Sequence, residues 1–429
     1  MTPGARAAAA IDLLTAIEAS PHRPADGIAN DFFRARRYIG SGDRRAVAGR
    51  VWTVLRRRRR LGWLLADAPP TPRLLVACSL LAEGWSSAGL VQLFSGGPYA
   101  PPALVPAEAA VLRARQGCTI DAPEMPEAVR LEVPDWLLPR LQAVFPGTCA
   151  AELAALLQEA PLDLRVNLLK SSREQAQAAL AAEGIAAAPT PYSPWGLRIA
   201  GRRPLVTGAA FRAGLVDIQD EGSQIIAALT DAAPGMRVVD YCAGAGGKTL
   251  ALAMVMENRG RIVACDTSAA RLEGAVRRLR RAGVHNVERH VIAAGDKWAK
   301  RHAGGFDRVL VDAPCTGTGT WRRRPDARRH LAPDELAALL TRQAGILDAS
   351  ARLVRIGGRL VYATCSLLAE ENEAQVSAFL DRHDAFAALA PARAWSPAER
   401  LAPTGPWLRL TPHAHGTDGF FAAVLERTR

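Results

Sequence analysis

Two cysteines, each close to the end of an apolar β-rich run, are the residues best suited to chemistry. Cys315 lies in DAPCTGTG, three residues after Asp312, which ends the run FDRVLVD. Cys365 ends the run GGRLVYATC. Because ligands of open α/β sheets bind at the carboxyl ends of strands, a carboxylate and two thiols there suit one catalytic pocket. The alternative is two unrelated cysteines that pack as small apolar residues.

A glycine-rich turn, VDYCAGAGGKT at 239–249, joins another strand-like run to a helix. Its three glycines let the backbone approach a ligand, and free N–H groups at the helix start favour polar or anionic groups. The glycine spacing fits neither a Walker A loop nor a dinucleotide-binding G-x-G-x-x-G. Asp266 ends the next strand-like run, where a carboxylate can bind ribose hydroxyls. The pattern predicts a nucleoside-containing cofactor; the alternative is an ordinary tight turn.

Two arginine runs are candidates for binding phosphate. The segment 321–326, WRRRPD, places three arginines beside an aromatic residue shortly after Cys315, which suits phosphate contacts near a reacting base. Its alternative is a solvated loop. The run Arg56–Arg60 covers every face of a helix and is either a solvated face or a phosphate-binding patch. We predict no metal site, because His413 and His415 lack cysteine or acidic partners at ligand spacing.

The elements that must position these residues form three regions. Residues 1–125 have helical apolar spacing, and residues 126–207 mix short helices with strand-like pieces. In residues 208–429, β-rich runs alternate with amphipathic helices, which predicts an α/β fold with a doubly wound parallel sheet. A long helix is predicted after Pro333 and a last strand at GFFAAVLER.

Composition narrows the class of protein. The chain has 429 residues, 49% of them apolar and 22% charged, which excludes a mostly disordered chain and a collagen. We expect no membrane helix and no signal peptide, because long uninterrupted apolar runs are absent from the sequence. Seven cysteines without a C-x-x-C pair predict reduced thiols and a cytoplasmic protein. The net charge of +12 favours a polyanion such as a nucleic acid; the alternatives are solubility and codon bias.

Taken together, the motifs resemble the RsmB/Nop/Sun family of RNA cytosine-5 methyltransferases over about residues 126–429. They are CAGAGGKT, ACD at 264–266, AAGD at 293–296, DAPCTGTGTWRRRPD, YATCSLLAEENE, FRAGLVDIQDEGSQ, LRVNLLK and GTDGFFAAVLER. The N-terminal region is similar to a NusB-type helical RNA-binding domain, most clearly at GSGDRRAVAGRVWTVLR. That combination indicates the bacterial small-subunit rRNA branch. One departure is Ala245, where the family often has proline, and alanine constrains the turn less.

The resemblance implies a Rossmann-like class I methyltransferase sheet that binds S-adenosylmethionine. Asp266 would bind the ribose hydroxyls and Asp296 would lie by the adenine. The implied cofactor residues are Cys242, Ala243, Gly244, Ala245, Gly246, Gly247, Lys248, Asp266, Asp296 and Asp312. The candidates for RNA contact are Arg165, Asn167, Arg322, Arg323 and Arg324.

The resemblance also implies the roles of the two thiols. Cys365 matches the family's nucleophile, which adds to carbon-6 of cytosine so that carbon-5 can take a methyl group. Cys315 matches the cysteine linked to product release. Asp312 would hydrogen-bond the cytosine ring, and Lys248 would position that carboxylate. The expected substrate is 16S rRNA or a small-subunit assembly intermediate, and the expected state is a monomer without a metal or a membrane partner.

Three alternatives stay open at this point. A DNA cytosine-5 methyltransferase would use the cysteine in a Pro-Cys context, which is Cys315, but Cys365 and the NusB-like region argue against it. A non-catalytic RNA-binding assembly factor would fit the basic charge. The same chemistry on tRNA or at another rRNA position is compatible with every catalytic motif.

Overall fold

The chain forms two units, each described here by itself. The computed structural model describes residues 1–66, 68–201, 205–293, 295–401 and 405–429. One unit contains Met1–Gln158 and Trp321–Leu331, and the other contains Glu159–Thr320 and Ala332–Arg429. This division differs from the predicted boundaries at 125 and 207. The helices just after residue 125 belong to the first unit, while the strands of the predicted linking region belong to the second.

The first unit is built from short helices around an apolar core. Its central helix has buried residues on every face, from Leu74 to Leu81, as expected for a helix surrounded by others. Threonine or serine side chains cap three of the helices. The helices are α1 (Pro3–Glu18), α2 (Ala25–Ala35), α3 (Ser41–Arg56), α4 (Arg58–Leu64), α5 (Pro72–Leu81), α6 (Ser87–Leu93), α7 (Pro106–Ala114), α8 (Glu127–Arg130), α9 (Leu138–Val144) and α10 (Cys149–Ala155).

The run Arg56–Arg60 was predicted to be either a solvated face or a phosphate-binding patch, and the structure shows neither. Arg56 and Arg60 are buried at the junction of α3 and α4. Arg60 contacts Glu132, whose side chain is also buried, at 3.2 Å, while Arg59 pairs with Asp135 at 2.8 Å. Burial raises the pKa of Glu132, although backbone N–H groups of the run donate to it. The run is therefore part of an internal ion-pair network rather than an open cationic face.

The segment Trp321–Leu331 belongs to this helical unit, although it directly follows the Cys315 loop in sequence. The Trp321 side chain is fully buried, and the Arg328 guanidinium lies 5.0 Å from its ring centroid. Asp326 accepts a hydrogen bond from the backbone N–H of Ala25, at the start of α2, at 3.1 Å. These contacts hold the segment inside the first unit.

The second unit is organised by a large mixed sheet whose order, within the described residues, is β10-β12-β9-β8-β5-β6-β7, with β11 also paired to β12. The strands β9-β8-β5-β6-β7 are parallel, and β12 is antiparallel to β9, β10 and β11. The strands are β5 (Arg237–Asp240), β6 (Arg261–Asp266), β7 (Val287–Val291), β8 (Phe306–Asp312), β9 (Val354–Thr364), β10 (Phe386–Leu389), β11 (Trp407–Leu410) and β12 (Phe420–Arg427).

A small antiparallel sheet precedes the large one in sequence. Its order is β2-β3-β1-β4, formed by β1 (Leu162–Val166), β2 (Ala187–Pro189), β3 (Gly196–Ile199) and β4 (Val216–Ile218). The helices of the second unit are α11 (Arg173–Ala182), α12 (Ala209–Arg212), α13 (Glu221–Leu229), α14 (Gly247–Val255), α15 (Ala269–Ala282), α16 (Trp298–Arg301), α17 (Pro333–Ala351), α18 (Glu373–Arg382), α19 (Pro391–Ala394) and α20 (Pro412–His415). Short 3-10 turns lie at Leu205–Thr207, Thr318–Thr320, Pro325–Arg329, Ala369–Glu371 and Ser396–Leu401.

The large sheet confirms the predicted doubly wound fold. Its central strands are apolar and fully buried, as expected for parallel strands with helices on both faces. The strand order reverses between β5, paired with β6, and β8, so the carboxyl ends of β5 and β8 flank the switch point where such folds bind ligands. The helix after Pro333 and the last strand are confirmed as α17 and β12. In the described part of the chain, every helix is too short or too polar to cross a membrane.

Candidate active site

The glycine-rich turn lies at the end of β5 and leads into α14. Gly244 and Gly246 have positive φ angles of 55° and 78°, a backbone conformation that disfavours side chains. A Cβ on Gly246 would lie 3.1 Å from the Ala275 side chain, whereas a Cβ on Gly244 would meet nothing within 4 Å. Gly246 is therefore required for packing, and Gly244 leaves open space beside the loop in which a ligand can approach the backbone.

Asp266, at the end of β6, holds this loop in place. Its Oδ2 accepts a hydrogen bond from Gly244 N at 2.9 Å, and its Oδ1 accepts one from Ser268 N at 2.8 Å. Each carboxylate oxygen has a further lone pair, so Asp266 can bind ribose hydroxyls while it supports the loop. The structure thus places Asp266, the residue predicted to bind the ribose hydroxyls, beside the predicted cofactor loop.

Two arginines hold the loop from its carbonyl side. Arg165 Nη1 donates to Gly247 O at 2.7 Å, and Arg278 Nη1 donates to Ala245 O at 2.9 Å. Asp217 on β4 joins them, at 2.9 Å from Arg278 and 4.0 Å from Arg165. Burial lowers the pKa of Arg165 to about 10, against the opposing effect of Asp217. Because the arginines bind carbonyl oxygens, they support the loop without using its N–H groups.

Arg165 and Asn167, the predicted RNA contacts on β1 and just after it, lie in the interior of the second unit. Arg165 is 3% exposed, and its guanidinium is bonded inside the second unit. Asn167 is also buried, and its Nδ2 donates to Gly214 O and Ala282 O at 2.9 and 2.8 Å. Neither side chain presents a free donor to solvent, so both position neighbouring backbone. The sequence did not indicate the burial of Arg165, because an arginine on a strand is usually exposed.

The predicted RNA contacts Arg322, Arg323 and Arg324 lie in the first unit. Arg322 is buried, Arg323 is half-buried and Arg324 is exposed. The Arg322 side chain is 5% exposed, and its carbonyl oxygen accepts a hydrogen bond from Arg56 at 3.2 Å.

Asp296 follows β7 and is held by two neighbours. Trp298 N donates to its Oδ1 at 2.8 Å, and His290 Nε2 contacts its Oδ2 at 2.5 Å. The hydrogen bond from Trp298 N, followed by His290, lowers the pKa of this carboxyl, so Asp296 is a fixed anion. Ala294, inside the AAGD motif, lies outside the described residues.

Asp240, the last residue of β5, is a buried carboxyl that the sequence did not single out. Its Oδ2 accepts a hydrogen bond from the Thr249 hydroxyl at 2.7 Å, while its Oδ1 has no partner among the described residues. Burial raises the pKa of Asp240 to about 6. A buried oxygen without a donor at the base of a cofactor loop is available to a ligand's donor group.

Lys248 and Asp312 connect the cofactor loop to the end of β8. Lys248 Nζ donates to Asp312 Oδ2 at 2.6 Å. Burial opposes the charged form of Lys248, but Asp312 and then Asp240 outweigh it, so the pKa of Lys248 is raised and the group is a fixed cation. The side chain of Asp312 keeps 32% of its exposure, so one face of the carboxylate remains open. The structure brings together the pair that the sequence analysis had linked.

The two cysteines lie together at this edge of the sheet. Their Sγ atoms are 3.4 Å apart, too far for a disulfide bond and close enough for a hydrogen bond between thiols. The hydrogen bond with Cys365, reinforced by burial and by Glu371, raises the pKa of Cys315 well above its ordinary value. Cys315 therefore keeps its proton and can donate it in a hydrogen bond to a thiolate at Cys365.

Glu371 holds the Cys315 loop and was missed as a site residue. The acidic run AEENE at 369–373 follows Cys365 closely, and carboxylates are usual at the start of a helix. Instead, the fully buried Glu371 accepts from Thr316 N at 2.9 Å and from the Thr316 hydroxyl at 2.5 Å. Gln343, on the buried face of α17, donates to both Glu371 and Pro314 O. The sequence feature that could have indicated a buried polar contact here is this glutamine within the apolar stripe of the helix.

The backbone around Cys365 is held by a second set of buried polar side chains. The Thr364 hydroxyl donates to Asn372 Oδ1 at 2.6 Å, and Asn372 Nδ2 donates to Ser366 O at 2.9 Å. Gly319 N donates to Cys365 O at 2.9 Å, which ties the two cysteine loops to each other. Both thiols are consequently carried on backbone with few alternative conformations.

These features define the class of protein. A doubly wound sheet carries a glycine-rich loop at its switch point, acidic residues follow the next strands, and the neighbouring strand ends hold reactive side chains. This is the arrangement of a Rossmann-like methyltransferase.

Comparison with known proteins specifies the family. Residues 227–426 match the family model described as 16S rRNA methyltransferase RsmB/F, and residues 133–205 match the ferredoxin-like domain of RsmF/B-like methyltransferases. The chain is 34% identical to ribosomal RNA small subunit methyltransferase B of Xanthomonas campestris over 89% of both chains. It is 35% identical to a protein of Synechocystis named probable ribosomal RNA small subunit methyltransferase B, over 68% of this chain and 66% of that protein.

A solved structure agrees with this assignment. The methyltransferase homolog protein from Pyrococcus horikoshii is 28% identical, with a TM-score of 0.61, over 72% of this chain and all of that one. The chain therefore belongs to the RsmB/F family of S-adenosylmethionine-dependent methyltransferases. The site fits that cofactor, since it offers open space at Gly244, spare lone pairs on Asp266 and an Asp240 oxygen that no described residue binds.

Proposed function

We propose that the chain transfers a methyl group from S-adenosylmethionine to carbon-5 of a cytosine in 16S rRNA, as a cytoplasmic monomer. The RNA substrate is supported by the names of the relatives, one of which is named ribosomal RNA small subunit methyltransferase B and the other a probable one. The observation that carries the chemistry is the 3.4 Å separation of the Cys315 and Cys365 Sγ atoms at the cofactor edge of the sheet.

Cys365 is the proposed nucleophile. The assignment rests on the family resemblance, in which Cys365 matches the attacking cysteine, and on Cys315 keeping its proton beside it. Its Sγ forms a bond to carbon-6 of cytosine, and the electrons of the carbon-5–carbon-6 double bond make carbon-5 nucleophilic. S-adenosylmethionine supplies the methyl group that carbon-5 takes.

Cys315 acts in the release of the product. A base removes the proton from carbon-5, the electrons of that carbon–hydrogen bond re-form the double bond, and the Sγ–carbon-6 bond breaks. Cys365 then leaves as a thiolate, which the Cys315 thiol stabilises by hydrogen bonding at 3.4 Å. This gives the second cysteine a physical role that does not require it to bond to the base.

Asp312 and Lys248 position the cytosine. The open face of the Asp312 carboxylate accepts a hydrogen bond from the exocyclic amine or a protonated ring nitrogen, while Lys248 fixes its direction from the other side. Asp266 and Asp296 hold the cofactor. The target base must be single-stranded or flipped out of a helix to reach thiols at the end of a strand. Arg324, which is exposed, remains a proposed RNA contact.

The test is methyl transfer from labelled S-adenosylmethionine to small-subunit rRNA that lacks its own 5-methylcytosines. Bisulfite sequencing then maps the product for the wild type and Cys365→Ala. We expect one protected cytosine, absent with Cys365→Ala. Transfer to tRNA alone would keep the chemistry and reject the rRNA substrate. Cofactor binding without transfer to any RNA would favour a binding-only assembly factor.

A further inference from the structure

Cys315 and Cys365 are close enough to react with each other as well as with a substrate. Their Sγ atoms are 3.4 Å apart, and a disulfide bond is about 2.0 Å long, so the sulfur atoms need to approach by about 1.4 Å. Rotation of either cysteine about its Cα–Cβ bond moves the sulfur and leaves the backbone in place. Gly319 N donates to Cys365 O at 2.9 Å, which holds the two cysteine loops together. The two sulfur atoms are therefore held within reach of a covalent bond.

The cysteines of the chain differ in how readily an oxidant can attack them. Cys365 is only partly buried, and Lys248, a fixed cation, lies close enough to attract a negative charge on it. A nearby cation favours the thiolate, which is the form of cysteine that peroxides oxidise. Burial raises the pKa of four other thiols and so keeps them protonated, namely Cys78, Cys149, Cys242 and Cys265. Since Cys315 also keeps its proton, Cys365 is the cysteine of the second unit that reacts first.

We propose that Cys315 is also a resolving cysteine, which forms a reversible disulfide bond with Cys365 when a peroxide oxidises that thiol. The Cys365 thiolate first attacks one oxygen of hydrogen peroxide, the oxygen–oxygen bond breaks, and hydroxide leaves, so Cys365 becomes a sulfenic acid. Cys315 Sγ then attacks Cys365 Sγ, the sulfur–oxygen bond breaks, and the hydroxide leaves with the Cys315 proton as water. Overall, the two thiols lose two electrons and two protons, and one hydrogen peroxide becomes two waters.

The disulfide bond both stops the reaction and preserves the enzyme. With Cys365 bridged, no thiolate is left to add to carbon-6 of cytosine, so methyl transfer stops. A thiol reductant restores the pair by exchange, whereas a cysteine that is oxidised further to a sulfinic acid is lost. The proposal rests on the proposed function only in taking Cys365 as the nucleophile, because formation of the bridge itself requires neither RNA nor cofactor.

The experiment treats the full chain with hydrogen peroxide, without RNA or cofactor, then denatures it, alkylates the remaining thiols with iodoacetamide and maps its peptides by mass spectrometry. For the wild type we expect a peptide that joins Cys315 to Cys365, and two fewer alkylated cysteines out of seven. Methyl transfer, assayed afterwards, should fall in proportion to the bridged fraction and return with dithiothreitol. The matched control is Cys118→Ser, at the exposed cysteine of the first unit, which should behave as the wild type.

The variant Cys315→Ala isolates the resolving role. Without its partner, Cys365 should proceed at the same peroxide dose to a sulfinic acid, which adds the mass of two oxygen atoms and is not reversed by dithiothreitol. The proposal is overturned if wild-type Cys365 reaches the sulfinic acid as readily as it does in this variant.

It is also overturned if the wild type gives no peptide joining Cys315 to Cys365, or if oxidised Cys365 is instead joined to Cys242, and neither result depends on how the variant folds. The peptide maps involve no methyl transfer. A failure of the proposed function would therefore leave them unchanged, and a missing bridge would leave the methyl-transfer assay of the untreated chain unchanged.

Discussion

The two loops that carry the reaction are held in place by side chains of opposite charge. The cofactor loop has its carbonyl oxygens bound by the guanidinium groups of Arg165 and Arg278. The Cys315 loop has a backbone N–H and a hydroxyl of Thr316 bound by the carboxylate of Glu371. Both supports are largely buried, and both come from elements distant in sequence.

The difference corresponds to what each loop must bind. The arginines bind carbonyl oxygens of the cofactor loop, so the N–H groups that Asp266 and backbone carbonyls do not engage stay available to a ligand. Beside the thiols, the hydrogen bond with Cys365 and burial raise the pKa of Cys315, and the carboxylate of Glu371 adds to this, so that thiol keeps its proton. The ion pair between Lys248 and Asp312 links the two loops, of which one is bound by arginines and the other by a glutamate.

Breaking this connection should have the largest effect. Lys248→Met removes the cation that fixes Asp312, and Asp312 is exposed enough to remain hydrated. We expect the rate of methyl transfer in single-turnover assays to fall about 100-fold, with RNA affinity unchanged. Lys300→Met, at an exposed lysine of α16, serves as the control. A loss of less than threefold for Lys248→Met would show that the pair has no part in the reaction.

Neutralising the anionic support should change release of the product. In Glu371→Gln the pKa of Cys315 falls, while the hydrogen bond with Cys365 and burial still raise it, so the protonated thiol is lost at a lower pH and release slows about tenfold in the alkaline range. The readout is the pH dependence of the decay of the covalent adduct, whose alkaline limb should move to lower pH. If Glu371 had only a structural role, the substitution would lower all rates and leave the pH profile of adduct decay unchanged. The control is Glu370→Gln, the same change one residue earlier.

Weakening the cationic support should affect the cofactor alone. Arg165→Met leaves Asp217 paired with Arg278 and Arg281, both at 2.9 Å, so the variant should fold. We expect the Kd for S-adenosylmethionine, measured by calorimetry, to rise about fivefold, with the salt slope of RNA binding unchanged. If RNA affinity fell and cofactor affinity did not, Arg165 would be an RNA contact after all. Arg212→Met, at an exposed arginine of α12, is the control.

The smallest effect concerns Asp240 and the pH dependence of stability. Its pKa rises from 3.8 in the unfolded chain to about 6 on folding, so the folded state binds the proton more tightly. Its contribution to stability is present at low pH and is lost as pH rises through about 6. Asp240→Asn should therefore gain up to about 3 kcal/mol relative to the wild type between pH 4 and pH 7 in urea unfolding. A difference that is constant with pH would contradict the raised pKa.

Much of this site could be predicted from the sequence because it lies on strand ends. The apolar runs that end at Asp266, Asp312 and Cys365 predicted three strands, and the fold requires their ends to meet at one edge. The contact between Lys248 and Asp312 follows from that topology. The family resemblance supplied the roles of the cysteines, which spacing alone left open.

The supports of the loops could not be predicted in this way. Arg165 and Gly247 are 82 residues apart in sequence. Every residue type has a backbone carbonyl oxygen, so the type of the accepting residue does not indicate this hydrogen bond. Glu371 has the sequence context of a helix cap, and only tertiary packing turns it toward Thr316. The arginines at 322–324 were expected to be exposed, because arginine side chains are seldom buried. The segment instead belongs to the helical unit, where the Trp321 side chain is fully buried.

The most direct test of the account is which cysteine bonds to RNA. Cys315→Ala and Cys365→Ala are each incubated with labelled small-subunit rRNA and S-adenosylmethionine, and the protein is resolved on a denaturing gel. The account predicts that a covalent protein–RNA adduct accumulates with Cys315→Ala, because the thiolate of Cys365 loses the donor that helps it leave, and that Cys365→Ala forms no adduct. An adduct with Cys365→Ala, or accumulation with neither variant, would contradict it.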